Sequence, residues 1–327
     1  MTSFSFIVPV YNRPGELGEL LNSLSVQTDK DFEVIIVEDG SNNTAKKVIK
    51  KYSTTLKIKY FFKNNEGPAI ARNFGVSKAT GNYFIFFDSD CIIPPDWFNI
   101  VRKSLRDEYV DAFGGPDSAA KEFNSTQKAI SYTMTSFITT GGTRGGRRQI
   151  TKYYPRSFNM GVSEKVFKKT GGFPVTRMHP GEDMIFSIEI LRNKFKTKLI
   201  SEAFVYHKRR TNFKGFYKQV FGFGKTRFLI SLLYPETFNI FYIIPTLFLI
   251  GCLGLIICSF LFHYIFLSPI LLFIILIFIH SLLLTKNFKV GLFSIIAAFY
   301  QLFGYGAGFI SSVWKKGILN KDEFGLF

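Results

Sequence analysis

Residues 5–37 read SFIVPVYNRPGELGELLNSLSVQTDKDFEVIIV. The two ends, SFIVPV at 5–10 and FEVIIV at 32–37, are short apolar runs of strand length. Between them, Leu17, Leu20, Leu21 and Leu24 recur at the spacing of a helix face, so residues 14–26 are predicted to be helical. The alternation continues outward. IKYFF at 58–62 and YFIFF at 83–87 read as further strands, and residues 41–52 as a second helix capped by Ser41 or Asn42. Strand, helix, strand, helix predicts an α/β domain with right-handed crossovers and a largely parallel sheet. Ligands of such sheets bind beyond the carboxyl ends of the strands, where the strand order reverses. The polar residues just after each strand are therefore the first candidates for a site.

Composition limits what the rest of the chain can be. Its 327 residues are 47% hydrophobic and 20% charged, with 39 Phe and 15 Tyr, which excludes a disordered or collagen-like chain. The length suits one large or two ordinary domains. The formal charge is +17, and only five of the 41 basic and three of the 24 acidic residues fall at or after position 236. The polar part thus carries 36 basic against 21 acidic residues. Nucleic acid and an anionic lipid surface would both explain that excess, but only the membrane also explains the 49 residues at 237–285 that contain no Asp, Glu, Lys or Arg. Cys91, Cys252 and Cys258 form no CxxC pair, so neither a disulfide framework nor a zinc site is expected and a reducing compartment is the default. The opening MTSFSFIVPVYN lacks a basic leader and a long apolar run, which places the N-terminal part in the cytoplasm.

Three parts follow: an α/β domain over 1–207, a basic amphipathic region over 208–236, and membrane helices with a short tail over 237–327. From Arg192 to Arg227 there are eleven Lys or Arg against one acid, Glu202. A helix there would put Phe213, Phe216, Tyr217, Val220 and Phe221 on one side and Lys214, Lys218 and Lys225 elsewhere, which suits either the plane of a membrane interface or packing on the preceding domain. As a single helix the uncharged stretch would be about 74 Å long, over twice the ~30 Å of a hydrocarbon core, so it must fold into two spans. The break is expected at 263–268, with Pro269 opening the second span. Lys286, Asn287 and Lys289 make a short basic loop, and residues 290–313 form a third apolar segment in which Gly304, Gly306 and Gly308 allow close helix contact. A cytoplasmic N-terminal domain puts the loop of Lys286 and Lys289 inside, as positive residues prefer, whereas a third span would carry Lys315, Lys316 and Lys321 outside. Two or three spans both remain open, the third segment being a span or a re-entrant or interfacial one.

Chemistry-bearing residues follow the predicted strands. Glu38, Asp39, Gly40 and Ser41 come after the second; Asp88, Ser89 and Asp90 come after the fourth. Two carboxylates one residue apart at a strand end can hold a hard divalent cation on a diphosphate, although Asp and Ser are also ordinary turn residues. Gly181, Glu182 and Asp183 precede the apolar run MIFSIEILRNK, where they read either as acids favoured in a first helical turn or as a general base. His207 ends the run AFVYH and is either a metal ligand, better suited to Mn²⁺ than Mg²⁺, or a structural histidine. GGTRGGRR at 141–148 lacks the Lys-Ser/Thr of a phosphate loop and reads as a mobile loop, and residues 176–180, with His179, as a segment able to close over substrate.

Taken together and in order, IVPVYNRP, VEDGSNN, NNEGPAIARNFG, FIFFDSD, NMGVSEKVFKKTGGFP, GEDM and YHKRR resemble the family 2 glycosyltransferases over about 200 residues. One departure is Glu38, where that family usually has Asp. The resemblance implies the GT-A fold, Rossmann-like with a mostly parallel sheet, and transfer of a sugar with inversion. It implies that Pro9, Tyr11, Asp39 and Arg72 line the nucleotide pocket together with Asp88, that Asp88 and Asp90, joined by His207, hold Mg²⁺ or Mn²⁺, that Asp183 beside Glu182 is the base, and that Asn159 faces the acceptor side.

The function expected is therefore a membrane-bound transferase. It would move a sugar from a nucleotide donor, a UDP-sugar ahead of a GDP-sugar, to a lipid-linked or growing glycan on the cytoplasmic face of the cell's inner membrane. Processive synthases of the family carry QxxRW beside the membrane; QVFGFGKTR at 219–227 lacks it, which favours addition of single sugars. The alternatives are transfer to a polyprenyl phosphate, as in enzymes resembling dolichyl-phosphate mannose synthase, with the basic stretch on the lipid phosphate, or a non-catalytic membrane scaffold or transporter. Nucleic-acid binding ranks last, because no recognition motif accompanies the charge.

Overall fold

The computed structural model describes residues 2–120, 122–141, 153–176, 178 and 180–322. The chain opens with β1 (Phe4–Val10), α1 (Pro14–Ser25), β2 (Phe32–Asp39), α2 (Lys46–Lys50), β3 (Lys57–Lys63), α3 (Pro68–Ser77) and β4 (Tyr83–Phe87). β1 pairs in parallel with β2 on one side and β4 on the other, and β3 extends the sheet beyond β2. The order β3-β2-β1-β4 thus reverses between β1 and β4. Next come β5 (Cys91–Ile92), α4 (Trp97–Asp107), β6 (Ala112–Gly114), β7 (Asp117–Ser118), α5 (Ser125–Thr135), α6 (Phe137–Thr140), β8 (Asn159–Ser163), α7 (Glu164–Thr170), α8 (Glu182–Arg192), β9 (Thr197–Leu199) and β10 (Val205–His207). β8 runs antiparallel between β4 and β6, and β9 pairs in parallel with β6, completing seven strands. A second small sheet has the order β5-β10-β7.

The central strands read as unbroken apolar runs because both of their faces are covered. On one face Phe6 stacks on Phe32 with ring centroids 4.1 Å apart, and Phe87, Trp97 and Phe98 meet it edge-on. On the other, Ile7, Ile35, Val37, Phe84 and Phe86 pack with Phe173 and Phe186. Each such side chain contributes about 1.5–3 kcal/mol on burial. The four predicted strands and the first helix are where the pattern put them. The second helix is shorter than predicted, beginning after Ala45 rather than at a Ser41 or Asn42 cap. The Ser41 hydroxyl instead accepts from the Asn12 N–H (2.7 Å), the Asn42 N–H donates to Asn12 Oδ1 (2.9 Å), and Glu38 Oε2 accepts from the Ala45 N–H (2.8 Å). The end of β1 thereby holds the loop after β2, and Glu38 supplies the cap.

Two compact units divide the chain: Met1–Ala120, Lys152–Val175 and Glu182–Lys208 in one, Lys121–Thr151, Thr176–Gly181 and Arg209–Phe327 in the other. Residues 122–141 therefore group with the C-terminal helices rather than with the sheet that precedes them in sequence. Within 141–148 the residues after Gly141 lie outside the described residues, as does His179.

The second unit contains α9 (Phe213–Leu233), α10 (Ile244–Leu261), α11 (Ser268–Thr285) and α12 (Phe288–Ser312). Three helices, Ile244–Leu261, Tyr264–Thr285 and Phe288–Ile318, are long and apolar enough to cross a membrane, with mean hydropathy 2.4, 2.7 and 1.5, and associate this chain with one. The first break is where the sequence puts it: His263 Nδ1 accepts the Ile265 N–H (3.1 Å), a 3₁₀ turn follows at Tyr264–Leu267, and Pro269 lies in the first turn of α11. Lys286, at φ 50°, ends α11, and Asn287 caps α12 through the Val290 N–H.

α12 differs from the other two, with 44% of its span buried against 11%. It packs on α9, whose Phe216 and Val220 are buried with Ala129 and Ile130 of α5 and Val290 and Ala297 of α12. The apolar side of the basic helix is thus covered by protein, while Lys214 and Lys218 stay exposed. Close approach requires glycine here: a Cβ on Gly308 would overlap the Phe221 carbonyl, and one on Gly224 the Tyr305 carbonyl. The Tyr132 hydroxyl meets His280 Nδ1 at 2.7 Å, and the Ser281 and Ser294 hydroxyls meet at 2.8 Å, so polar groups of α11 find partners within the unit.

Candidate active site

The first unit gathers acids at the carboxyl ends of its strands. β4 delivers Asp88 and Asp90 at the point where the strand order reverses. The pairing of β10 with β5 sets His207 opposite Cys91, one residue beyond Asp90. His207 Nε2 is then 3.1 Å from Asp90 Oδ1 and 4.0 Å from Asp88 Oδ2, while its Nδ1 is 3.9 Å from Asp117 Oδ2. The Phe158 ring stacks on the imidazole at 4.9 Å and fixes its plane. Two arginines neutralise the acids: Arg13 Nη1 donates to Asp90 Oδ2 at 2.6 Å, and Arg72 Nη2 to Asp88 Oδ1 at 2.8 Å. Burial alone would raise the Asp90 carboxyl, but His207 and Arg13 hold it well below the usual carboxylate range.

Arg72 also ties in the second acidic pair. It is buried, its guanidinium lies over the Phe173 ring at 5.2 Å, and its Nη1 donates to Glu182 Oε1 at 3.3 Å. Burial opposes its charge, yet Asp88, Glu182 and Asp183 keep it firmly protonated. Glu182 opens α8 with its side chain 7% exposed; Asp183 is 19% exposed and meets Arg156 Nη1 at 3.5 Å. Glu182 is thus engaged in holding Arg72, while Asp183 is the more accessible carboxylate of the two.

Other predicted site residues are placed differently. Asp39 is buried, and its carboxylate accepts from Lys63 Nζ (2.9 Å), the Glu66 N–H (3.1 Å) and the Gly67 N–H (2.8 Å), so it shapes the loop leading into α3. Gly40, at φ 74°, makes the turn after it; a Cβ there would run into the Asn65 backbone. Tyr11, just past β1, is 49% exposed and Pro9 is half-buried in the strand. Asn159 does not line an open surface. It is fully buried at the start of β8, and its amide donates to the Ala203 carbonyl (2.7 Å) and the Pro116 carbonyl (3.4 Å). Sequence reading also missed Arg13, Asp117 and Arg156, whose partners are far away along the chain. The one local signal was the place of Arg13 directly after the first strand.

The donor set fits a divalent cation. Asp90 Oδ1 is buried 3.1 Å from His207 Nε2, and Asp90, Cys91 and His207 offer ligand atoms within 4.8 Å of one another. Burial pushes the Cys91 thiol well up, and it donates to the Phe158 carbonyl at 3.5 Å, so it remains a thiol. That leaves carboxylate oxygens and an imidazole nitrogen, a set that suits Mn²⁺ more than Mg²⁺.

Residues 5–171 match the family described as Glycosyl transferase family 2. The chain belongs to that family. An uncharacterized glycosyltransferase of Rickettsia conorii is 41% identical over 106 residues, 32% of this chain and 18% of the relative, so the chain spans under a fifth of that relative's length. Among solved structures, the mannosyltransferase PcManGT from Pyrobaculum calidifontis, in complex with GDP-Man and Mn²⁺, superimposes with a TM-score of 0.65 at 16% identity, covering 96% of this chain and 88% of that one. Staphylococcus aureus TarS 1–349 in complex with UDP-GlcNAc gives 0.50 at 22% identity, covering 69% and 66%. The family 2 domain here has the Rossmann-like, mostly parallel GT-A fold, followed by C-terminal helices of which three are long and apolar.

Proposed function

We propose that this family 2 protein is an inverting glycosyltransferase. It moves a sugar from a nucleoside diphosphate donor to a lipid-linked or growing glycan acceptor, working at the cytoplasmic face of the cell's inner membrane. The observation that carries this reading is the joining of two acidic pairs through one buried arginine: Asp88 and Asp90 on one side of Arg72, Glu182 and Asp183 on the other. Asp88, Asp90 and His207 would hold Mg²⁺ or Mn²⁺, which when bound neutralises charge on the leaving diphosphate. Tyr11 lines the nucleotide side, and Asp39 orders the loop that leads into α3. Asp183 takes the proton of the acceptor hydroxyl as its oxygen bonds to the anomeric carbon and the bond to the diphosphate breaks, so that configuration inverts. Arg72 and Glu182 keep the two halves in register. Uridine and guanosine donors are both to be tested, since structures of this fold have been solved with UDP-GlcNAc and with GDP-Man.

The alternative reading, transfer to a polyprenyl phosphate, rests on the exposed Lys214 and Lys218 of α9, cations suited to an anionic lipid surface. Calorimetry on the detergent-solubilised chain with UDP, GDP and their sugars, in Mn²⁺, Mg²⁺ or EDTA, tests the donor step. Metal-dependent binding of one nucleotide sugar, lost in Asp90→Ala, is the expected result. No binding to any of them by folded protein would leave a non-catalytic scaffold as the better reading.

A further inference from the structure

Asp90 carries its own counter-ion. Its carboxylate is 14% exposed, and a charge so placed needs an opposite one. Arg13 supplies it through a single ion pair, Nη1 to Oδ2 at 2.6 Å. The backbone that presents Arg13 is fixed from both sides. Asn12 sits in the left-handed region at φ 53°, with its N–H on Ser41 Oγ and its Oδ1 accepting from Asn42 and Asn43. Pro14 opens α1 immediately afterwards, and the Arg13 carbonyl accepts the Leu17 N–H. The side chain beyond that anchor is long and 34% exposed.

Arg72 on Asp88 is a different kind of partner. It is 4% exposed, bridges two carboxylates and lies on the Phe173 ring. A divalent cation arriving at Asp90 and His207 would therefore displace Arg13 and leave Arg72 in place. The displaced guanidinium remains at the end of β1, beside the site, where its planar donors match a diphosphate.

We propose that Arg13 couples cation binding to donor binding: it occupies Asp90 when the cation is absent and transfers to the donor's diphosphate when the cation enters. The proposal rests on the reading of Asp90 as a metal ligand in a nucleotide-sugar site. Cation alone must break the Arg13–Asp90 pair without recompense, whereas cation with a nucleoside diphosphate finds the arginine already engaged elsewhere. Each ligand thus strengthens the other, and the effect is reciprocal.

The test is a Mn²⁺ titration of the full chain in detergent, following the free-ion signal by electron paramagnetic resonance, with no nucleotide, with UDP and with GDP. Thermal melts of each variant confirm folding. Arg13→Gln is expected to bind Mn²⁺ alone roughly tenfold tighter than the native chain, and to lose a similar factor of the enhancement that nucleotide gives. Arg13→Lys, which keeps the charge but not the fork, restores part of that enhancement. Arg13→Gln binding Mn²⁺ no tighter, with nucleotide enhancement unchanged, overturns the coupling while leaving the donor site standing. Mn²⁺ binding that Asp90→Ala does not reduce overturns the metal site itself, and the coupling with it.

Discussion

The end of β4 and the start of α8 carry the same device in two copies. Each offers two acids close in sequence, Asp88 and Asp90 in one, Glu182 and Asp183 in the other. In each, one acid is bound to the buried Arg72 and the other to a more exposed arginine, Arg13 or Arg156. The difference lies in the surroundings. Asp90 has His207 beside it, as the proposed cation site requires; Asp183 pairs with the 37% exposed Arg156 and is the proposed base. Under the proposed roles, two pairs of acids would serve two chemistries, because the elements around them bring different partners.

If the two copies are distinct, Asp183→Asn should lower kcat by about 10²–10⁴-fold while metal-dependent donor binding by calorimetry stays as it was. Donor binding lost as fully as in Asp90→Ala would break the distinction. Arg72→Leu attacks what the copies share. Removing one partner of a buried ion pair costs about 3–5 kcal/mol, so a sharp fall in Tm is expected along with loss of activity. Arg156→Gln probes the exposed partner of Asp183 and should reduce kcat only several-fold, with Tm and Mn²⁺ affinity unchanged.

The smallest effect sharpens the comparison from the opposite end of the sheet. Glu33 receives the Ser5 hydroxyl, the Thr80 N–H and hydroxyl, and Lys59. Burial would raise its carboxyl, but Lys59, Ser5 and Thr80 outweigh that and lower it to about 2. A carboxylate lowered by folding stabilises the fold above its unfolded value near 4.5 and loses that contribution as pH falls towards 2. Glu33→Gln should therefore cost about 1 kcal/mol at neutral pH, flatten the acid side of the Tm profile, and leave transfer alone.

What could be read beforehand follows the same physics. β1 to β4 were legible because a strand covered on both faces must be apolar throughout, and the acids after them because strand ends are where polar side chains can collect. His207 was legible as an alternative, and the β5–β10 pairing that decides its place spans more than a hundred residues of chain. The short α2 was misjudged at its start, since Ser41 spends its hydroxyl on Asn12 rather than on a helix. Asn159 looked like a pocket residue, but its amide is committed to the Ala203 and Pro116 carbonyls. α5, with Ser, Thr and Gln among its residues, gave no sign of joining the C-terminal helices, because its partners in α9 and α12 lie far downstream.

The glycine contacts between α9 and α12 bear on biosynthesis. α9 is made early and α12 last among these helices, yet Phe216 and Val220 of the first are fully covered only when the second joins α5 against them. A chain halted at Asn287 would already hold its complete sheet and its two most apolar helices, with the inner face of the basic helix covered only in part. Such a product should be cleared by proteolysis while the finished chain persists, a difference that pulse-chase labelling would register.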